Sequence, residues 1–143
     1  VGNRELTIHV GEMVMRALLS GEAPRPHIAS LLYGSEDASA QTLVTLFERE
    51  WNNSDTRYGF EGSEAVLNAL GYDRLEEAPA EAQTLFALNT RLYPDSANVW
   101  DSLADAQLAL GEGAAALHSM RRALDLQPGN PYFQRRVVEH TPN

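Results

Sequence analysis

Apolar side chains recur at helical spacing along most of the chain, and short stretches rich in proline, glycine and asparagine separate these runs. Apolar residues three and four positions apart are typical of amphipathic helices, whereas Gly111 and Pro128-Gly129 are typical of helix ends. The second half of the chain is therefore predicted to hold helices over about 64–76, 79–92, 97–110, 114–126 and 131–140. No stretch alternates apolar and polar residues over the length of a strand, so we expect no sheet.

The first half of the chain has the same kind of pattern with less regular spacing. It predicts helices over about 4–20, 27–34 and 39–52, followed by the longest loop at 53–62. The first of these helices carries an apolar face that needs a partner. Its members are Leu6, Val10, Met13, Val14, Ala17 and Leu18. This face is expected to dock on the rest of the chain, to form a homodimer or to pack on another domain.

Two segments in the second half repeat each other. Four pairs of similar residues are each 34 positions apart: Ala82 and Ala116, Phe86 and Met120, Leu92 and Leu126, Pro94 and Pro128. Upstream, Leu70-Gly71 corresponds to Leu103-Ala104, which lies 33 residues later in the sequence. The repeated unit is a pair of predicted helices joined by a short turn, and such units bury their apolar faces by stacking on their neighbours.

This spacing resembles the tetratricopeptide (TPR) repeat. In residues 97–130 the matching residues are Trp100, Leu103, Ala116, Ala123 and Pro128, and in residues 64–96 they are Leu70, Gly71, Ala82, Phe86 and Pro94. Five positions depart from the family pattern: Ala104 replaces a glycine, Met120 an aromatic residue, Gln107 and Arg74 a tyrosine, and Asn89 a small alanine.

The resemblance implies an all-α fold of antiparallel helix pairs, stacked as a short right-handed solenoid. Its repeats would be 64–96 and 97–130, with a degenerate unit at 27–60 in a repeat domain of 23–143. Residues 131–140 would form the capping helix, with Tyr132, Phe133, Val137 and Val138 on its apolar face and Arg135 and Arg136 on its polar face.

A second resemblance concerns the segments 67–72 and 93–103. They are similar to the repeat region at the C-terminus of some bacterial serine hydrolases of the β-lactamase/esterase type. Val1-Gly2-Asn3 and the helix after it are similar to the last strand and helix of that catalytic fold. The resemblance implies that residues 1–22 end a catalytic domain and that this chain is the tail of such a hydrolase. The chain begins at Val1, which also leads us to expect a processed or excised piece of a longer protein.

Composition excludes several kinds of chemistry. The 143 residues carry 11 arginines, 20 acidic residues, no lysine and no cysteine, for a net charge of −9. The chain therefore has no thiolate or cysteine metal ligand, no Schiff-base lysine and no Ser-x-x-Lys nucleophile. An acidic chain is also unsuited to nucleic acid, since binding depends on neutralising phosphates with basic side chains. No apolar run is long enough to span a membrane, and no signal peptide opens the chain.

The remaining candidates for catalysis or metal binding are weak. Of the four histidines, only His9 lies on a predicted helix face with a carboxylate, Glu12, and two ligands do not make a metal site. His27, His118 and His140 are interpreted as solvated or capping residues, and no Gly-x-Ser-x-Gly motif exposes a nucleophile. Glycines 111 and 113 are predicted to form a helix-to-helix turn. The acidic residues Asp73, Glu76, Glu77 and Glu81 are interpreted as a solvated edge. We expect no cofactor.

The TPR resemblance also implies a binding groove lined by the first helix of each pair. The residues facing it would be Asn68, Tyr72, Asn98, Asp101 and Asp105. Two carboxylates without lysine would favour a neutral or basic peptide segment. The alternative is that Asp101 and Asp105 belong to a solvated face with four-residue spacing.

The sequence thus favours a non-catalytic module that binds a protein or peptide. The alternative from a different class is a structural appendage that forms a homodimer or packs on its own catalytic domain. An autonomous enzyme is the least favoured of the three. The sequence indicates neither a partner by name nor a cellular compartment.

Overall fold

The computed structural model describes residues 25–142, which form seven helices. They are α1 (Ile28–Tyr33), α2 (Ala40–Trp51), α3 (Ser63–Leu75), α4 (Pro79–Leu92), α5 (Ala97–Ala109), α6 (Gly113–Leu126) and α7 (Pro131–His140). All seven helices predicted within this range are confirmed, and no bound differs from the prediction by more than one residue. The predicted helix at 4–20 and its apolar face lie outside the described residues.

The absence of a sheet is also confirmed within residues 25–142. A single isolated bridge pairs His27 with Gly59 in parallel. The amide of Ile28 donates to the carbonyl of Gly59 at 2.8 Å, and the amide of Gly59 donates to the carbonyl of Pro26 at 2.9 Å. This bridge attaches the start of the described chain to the loop between α2 and α3.

Several helices begin with a capping side chain or with a proline. Ser39 accepts a hydrogen bond from the amide of Thr42 at 3.2 Å, and Asn130 accepts one from the amide of Tyr132 at 3.0 Å. Pro79 and Pro131 occupy first helical positions, where the missing N–H costs nothing. Ser96 precedes α5 without capping it, and its hydroxyl donates to Glu64 at 2.8 Å.

From α3 to α7, each helix packs against the next helix in the chain. Helix α3 also contacts α5, α2 contacts α4, and α1 contacts both α2 and α3. The larger part of the core lies among α1 to α4. Its largest fully buried side chains are Ile28, Leu32, Leu43, Phe47, Leu67, Leu70, Leu85 and Leu88.

Small residues allow the later helices to approach closely. Ala104, Ala116 and Met120 form one buried cluster between α5 and α6. Between α3 and α4, a Cβ built on Gly71 would lie 2.3 Å from Cε1 of Phe86. Only glycine therefore fits at position 71 without moving the aromatic ring.

Three of the departures from the TPR pattern form hydrogen bonds. Arg74 donates to the carbonyl of Leu70 at 2.9 Å and to the carbonyl of Glu36 at 2.6 Å, which connects α3 to the turn after α1. Asn89 is fully buried and donates to the carbonyl of Glu64 at 2.9 Å. The Gln107 amide oxygen accepts from the hydroxyl of Ser119 at 2.8 Å. These side chains connect neighbouring helices through polar contacts.

Candidate functional site

Three helices contribute side chains to one polar network. Tyr72 of α3 donates from its hydroxyl to Asp105 of α5 at 2.7 Å, and its hydroxyl lies 3.3 Å from that of Ser102. Arg136 of α7 reaches the same Asp105 at 2.7 Å. We call Tyr72, Asp101, Ser102, Asp105, Tyr132 and Arg136 the α3–α5–α7 network. Two of the predicted groove residues, Tyr72 and Asp105, are therefore in direct contact.

Asp101 lies one turn before Asp105 and belongs to the same network. Its Oδ2 accepts a hydrogen bond from the Tyr132 hydroxyl at 3.0 Å, and its Oδ1 lies 3.1 Å from Nε of Arg136. Only 8% of Asp101 is exposed. The interpretation of Asp101 and Asp105 as a solvated face is thus wrong, because the packing of α7 against this face buries one carboxylate and pairs both.

The other two predicted groove residues lie beside the network. Asn68 is one helical turn before Tyr72, and its Oδ1 is buried with no hydrogen-bond partner. Asn98 is exposed in the first turn of α5, three residues before Asp101. Within residues 25–142, the Asn98 side chain makes no hydrogen bond. Among the five predicted groove residues it is the one that is exposed and makes no side-chain hydrogen bond in that range.

Arg136 is one of the residues whose predicted position is wrong. It was predicted on the polar face of the capping helix, yet its side chain is only 15% exposed and pairs with two carboxylates. Conversely, Val138 was predicted on the apolar face and is 74% exposed. Phe133 is the buried residue of α7, and Arg136 lies about 60° around the helix axis from it, which places it at the margin of the buried stripe.

Burial dominates the electrostatics of this network. Desolvation raises the pKa of Asp101 above its ordinary value, although Arg136 and the Tyr132 hydroxyl act in the opposite direction. Desolvation also raises the pKa of Tyr72, and the nearby Asp105 carboxylate adds to the rise. Desolvation lowers the pKa of Arg136, but the hydrogen bond to Asp105 and the electrostatic attraction of Asp101 and Asp105 outweigh it, so that this pKa is raised. Tyr72 and Arg136 therefore remain hydrogen-bond donors at neutral pH.

The network can bind polar groups but its own charges are largely satisfied. One guanidinium faces two carboxylates, which leaves a formal charge of −1 rather than −2. Tyr72 and Tyr132 are 41% and 42% exposed. Such a surface, with two accessible aromatic rings beside polar groups, suits contacts with a polypeptide better than with a small cation.

The described histidines bind backbone groups or lie at the surface. His27 is 8% exposed and caps α1, because its Nδ1 accepts from the amide of Ala29 at 3.0 Å while its Nε2 contacts the carbonyl of Glu61. His140 bonds through Nδ1 to the carbonyl of Arg136 at 2.8 Å, and His118 is exposed. These positions confirm the interpretation as capping or solvated residues, whereas His9 and Glu12 lie outside the described part of the chain. No group of three or more potential ligands among residues 25–142 could hold a metal ion.

The predicted acidic edge is correct for three residues and wrong for Glu81. Asp73, Glu76 and Glu77 are exposed. Glu81 accepts a hydrogen bond from the amide of Ala40 at 2.5 Å and lies 3.8 Å from Arg74. It therefore binds the amino-terminal end of α2, where a negative charge is favourable.

The predicted turn between α5 and α6 is confirmed. Gly111 has a positive φ of 75°, which glycine adopts without strain, and α6 begins at Gly113. These glycines therefore form the turn that joins the two helices. None of the described helices is long and apolar enough to cross a membrane.

Neither a protein-family model nor a curated protein matches the chain.

Proposed function

We propose that the chain is a TPR-like module of stacked helix pairs that binds a protein or peptide segment at the face formed by the α3–α5–α7 network. The pairs would be α3 with α4 and α5 with α6, with α7 as the capping helix and α1–α2 as a degenerate unit. In this arrangement α3, α5 and α7 are the first helices of successive units. The face they share would be the binding groove.

The observation that carries this proposal is the direct bonding between alternate helices. Tyr72 of α3 bonds to Asp105, which lies 33 residues later in the chain. Arg136 of α7 bonds to the same Asp105 and lies 31 residues after it. Bonds between side chains about one repeat apart are expected when the first helices of stacked units lie side by side.

Equivalent packing in the two repeats also supports the proposal. Gly71 lies against Phe86 in the first repeat, and Ala104 lies in one cluster with Met120 in the second. Small and large residues at corresponding positions thus meet in both helix pairs. This is the arrangement on which the resemblance to TPR repeats depends.

The charge of the network favours a neutral occupant over a strongly basic one. Arg136 already pairs with Asp101 and Asp105, so a basic segment would have to displace it. The exposed rings of Tyr72 and Tyr132 and the free amide of Asn98 remain available to a peptide backbone and to its apolar side chains. We therefore expect a neutral or weakly basic segment.

A peptide library displayed on phage tests this function directly. Peptides selected on the wild-type chain are expected to bind an Asn98→Arg variant at least about tenfold more weakly, because the bulky cation occupies the exposed part of the groove. The control is Asn53→Arg, which adds the same charge at an exposed loop position outside the network. The proposal fails if no peptide is enriched, or if both variants bind the selected peptides equally.

A second candidate function is that of a structural appendage. An exposed aromatic side chain at the end of α2 favours it. Trp51 is 43% exposed, although its ring stacks on Phe47 at 5.6 Å and meets Phe60 edge-on at 5.1 Å. Homodimerisation or packing on a catalytic domain of the same protein would cover it. Light scattering over a range of concentrations tests the homodimer, which a strict monomer would contradict. Trp51→Gln should weaken any dimer that forms through this surface.

The relationship to serine hydrolases and the lack of catalysis in this chain remain predictions. We expect no turnover of an ester or a β-lactam by the purified chain, and measurable turnover would overturn the non-catalytic assignment. A Ser-x-x-Lys motif encoded upstream of Val1 is the result expected if this chain is the tail of such a hydrolase.

A further inference from the structure

A cavity outside the α3–α5–α7 network has an unusual distribution of charge. It has a volume of about 450 Å³ and lies along the first half of α6, between the carboxyl-terminal ends of α5 and α7. Leu108, Leu117 and Pro142 supply apolar lining, whereas His118, Arg121 and His140 supply polar lining. This volume is in the range of pockets that hold small organic ligands.

No acidic side chain is among the described residues that line this cavity. This is notable in a chain with 20 acidic and 11 basic residues. Arg121 is exposed and makes no ion pair within residues 25–142, so its guanidinium donors are free to bind a ligand. His118 lies three residues before it on the same helix face and makes no hydrogen bond within that range either.

We propose that this cavity binds a small organic carboxylate with an apolar body, such as a medium-chain fatty acid. The carboxylate accepts hydrogen bonds from the guanidinium of Arg121, for which a two-pronged geometry is favourable. A ring N–H of His118 supplies a further donor. The hydrocarbon body lies against Leu108, Leu117 and Pro142, which removes apolar surface from water on both sides.

The number of permanent charges favours a carboxylate over a phosphate. Arg121 is the single side chain in the lining that is cationic at every physiological pH. One guanidinium matches a monoanion, whereas a phosphate monoester carries nearly two negative charges at neutral pH. The apolar lining further distinguishes an acid with a hydrocarbon body from acetate.

Binding of octanoate to the whole chain, measured by isothermal titration calorimetry, tests this proposal. We expect saturable binding of octanoate, and at least about tenfold weaker binding of octanol, acetate and inorganic phosphate. Octanol lacks the charge, acetate lacks the hydrocarbon body, and phosphate tests the preference for a monoanion. Octanol or phosphate binding as tightly as octanoate would overturn the assignment, as would an absence of saturable octanoate binding below about 10 mM.

Two variants locate the site. Arg121→Gln should weaken octanoate binding at least about tenfold by removing the charged donor. Ala114→Phe should block the cavity, because Ala114 is an exposed residue of its lining and the larger ring occupies the space of the ligand.

The matched control is Arg135→Gln, which removes an exposed arginine of α7 that does not line the cavity. Octanoate should bind this variant as it binds the wild-type chain. Equal weakening by Arg121→Gln and Arg135→Gln would show that only general charge attraction is involved, and would overturn the proposed site. The peptide-binding test at Asn98 does not involve these residues, so the two proposals can fail independently.

Discussion

At the scale of single residues, Arg136 has the largest number of charged and polar partners in the α3–α5–α7 network. It pairs with Asp101 at 3.1 Å and with Asp105 at 2.7 Å, and its Nη1 lies 3.2 Å from the Tyr132 hydroxyl. Removing one partner of a largely buried pair leaves the others desolvated without compensation. Arg136 is therefore expected to matter more for stability than any other arginine of the described chain.

Replacement of Arg136 tests this expectation. Arg136→Gln should lower the free energy of unfolding by about 1–3 kcal/mol, because two carboxylates lose their counter-ion in a partly solvated site. Urea denaturation measures the change. Arg135→Gln is the matched control on the same helix and should lie within about 0.5 kcal/mol of the wild-type chain. Equal stability of the two variants would contradict the importance assigned to the pair.

The pH dependence of stability gives a second test at this scale. The pKa of Asp101 is raised in the folded chain, so the folded state binds more protons than the unfolded state over the intervening pH range. The contribution of Asp101 to stability is then fully present below its unfolded pKa and is lost as the pH rises through its folded pKa.

The comparison of wild type with Asp101→Asn isolates this contribution. Relative to that variant, the wild-type chain should gain stability as the pH falls from 7 towards the ordinary value of 3.8. Urea denaturation at several pH values measures the difference. A wild-type chain that instead loses stability relative to Asp101→Asn on acidification would show that pairing with Arg136 outweighs desolvation.

At the scale of elements, the close contact of α3 with α4 depends on the absence of a side chain at position 71. A Cβ there would lie between 2.3 and 2.8 Å from three atoms of the Phe86 ring. Phe86 is fully buried, so its ring has little room to move. The pair of helices can adopt its observed separation only with glycine at this position.

Gly71→Ala should therefore lower the free energy of unfolding by about 1–3 kcal/mol, as expected for an overpacked core. Gly113→Ala is the control, because a Cβ at that position meets no atom within 4 Å. It should cause no loss of stability in thermal or urea denaturation. In a Phe86→Leu background, Gly71→Ala should cost less stability than in the wild-type chain, since the smaller side chain makes room for the methyl group. An equal cost in both backgrounds would point to a cause other than the Phe86 contact.

At the scale of the whole molecule, the buried apolar side chains are unevenly distributed. The cluster among α1 to α4 contains twelve buried residues, whereas the cluster of Ala97, Ala123 and Phe133 contains three. Helix α7 buries only Phe133. Local stability follows the number of buried apolar contacts that each segment makes.

Amide hydrogen exchange should consequently be slowest in α2, α3 and α4 and fastest among the helices in α7. Mass spectrometry of peptic fragments measures this order. Truncation of Phe133 to alanine should accelerate exchange in α7 more than in α3, because the lost contacts connect α7 to α5 and α6. Protection of α7 equal to that of α4 would contradict the expected order.

The positions of the helices in residues 25–142 could be predicted because helical periodicity and helix ends are local properties. Gly111 and Pro128 mark ends, and small residues such as Ala116 mark close contacts, whatever the helices pack against. The resemblance to TPR repeats also predicted Tyr72 and Asp105 among the groove residues, and the structure brings these two side chains into contact.

The partners of those residues depended on how the helices pack together. Arg136 lies at the margin of the buried stripe of α7. The position of α7 relative to α5 determines that its side chain reaches Asp101 rather than solvent. Glu81 binds the amide of Ala40 for a similar reason, since α2 packs on α4 across 41 residues of chain. Periodicity assigns a residue to a side of its own helix, but the distance to a group on another helix is set by the packing of both.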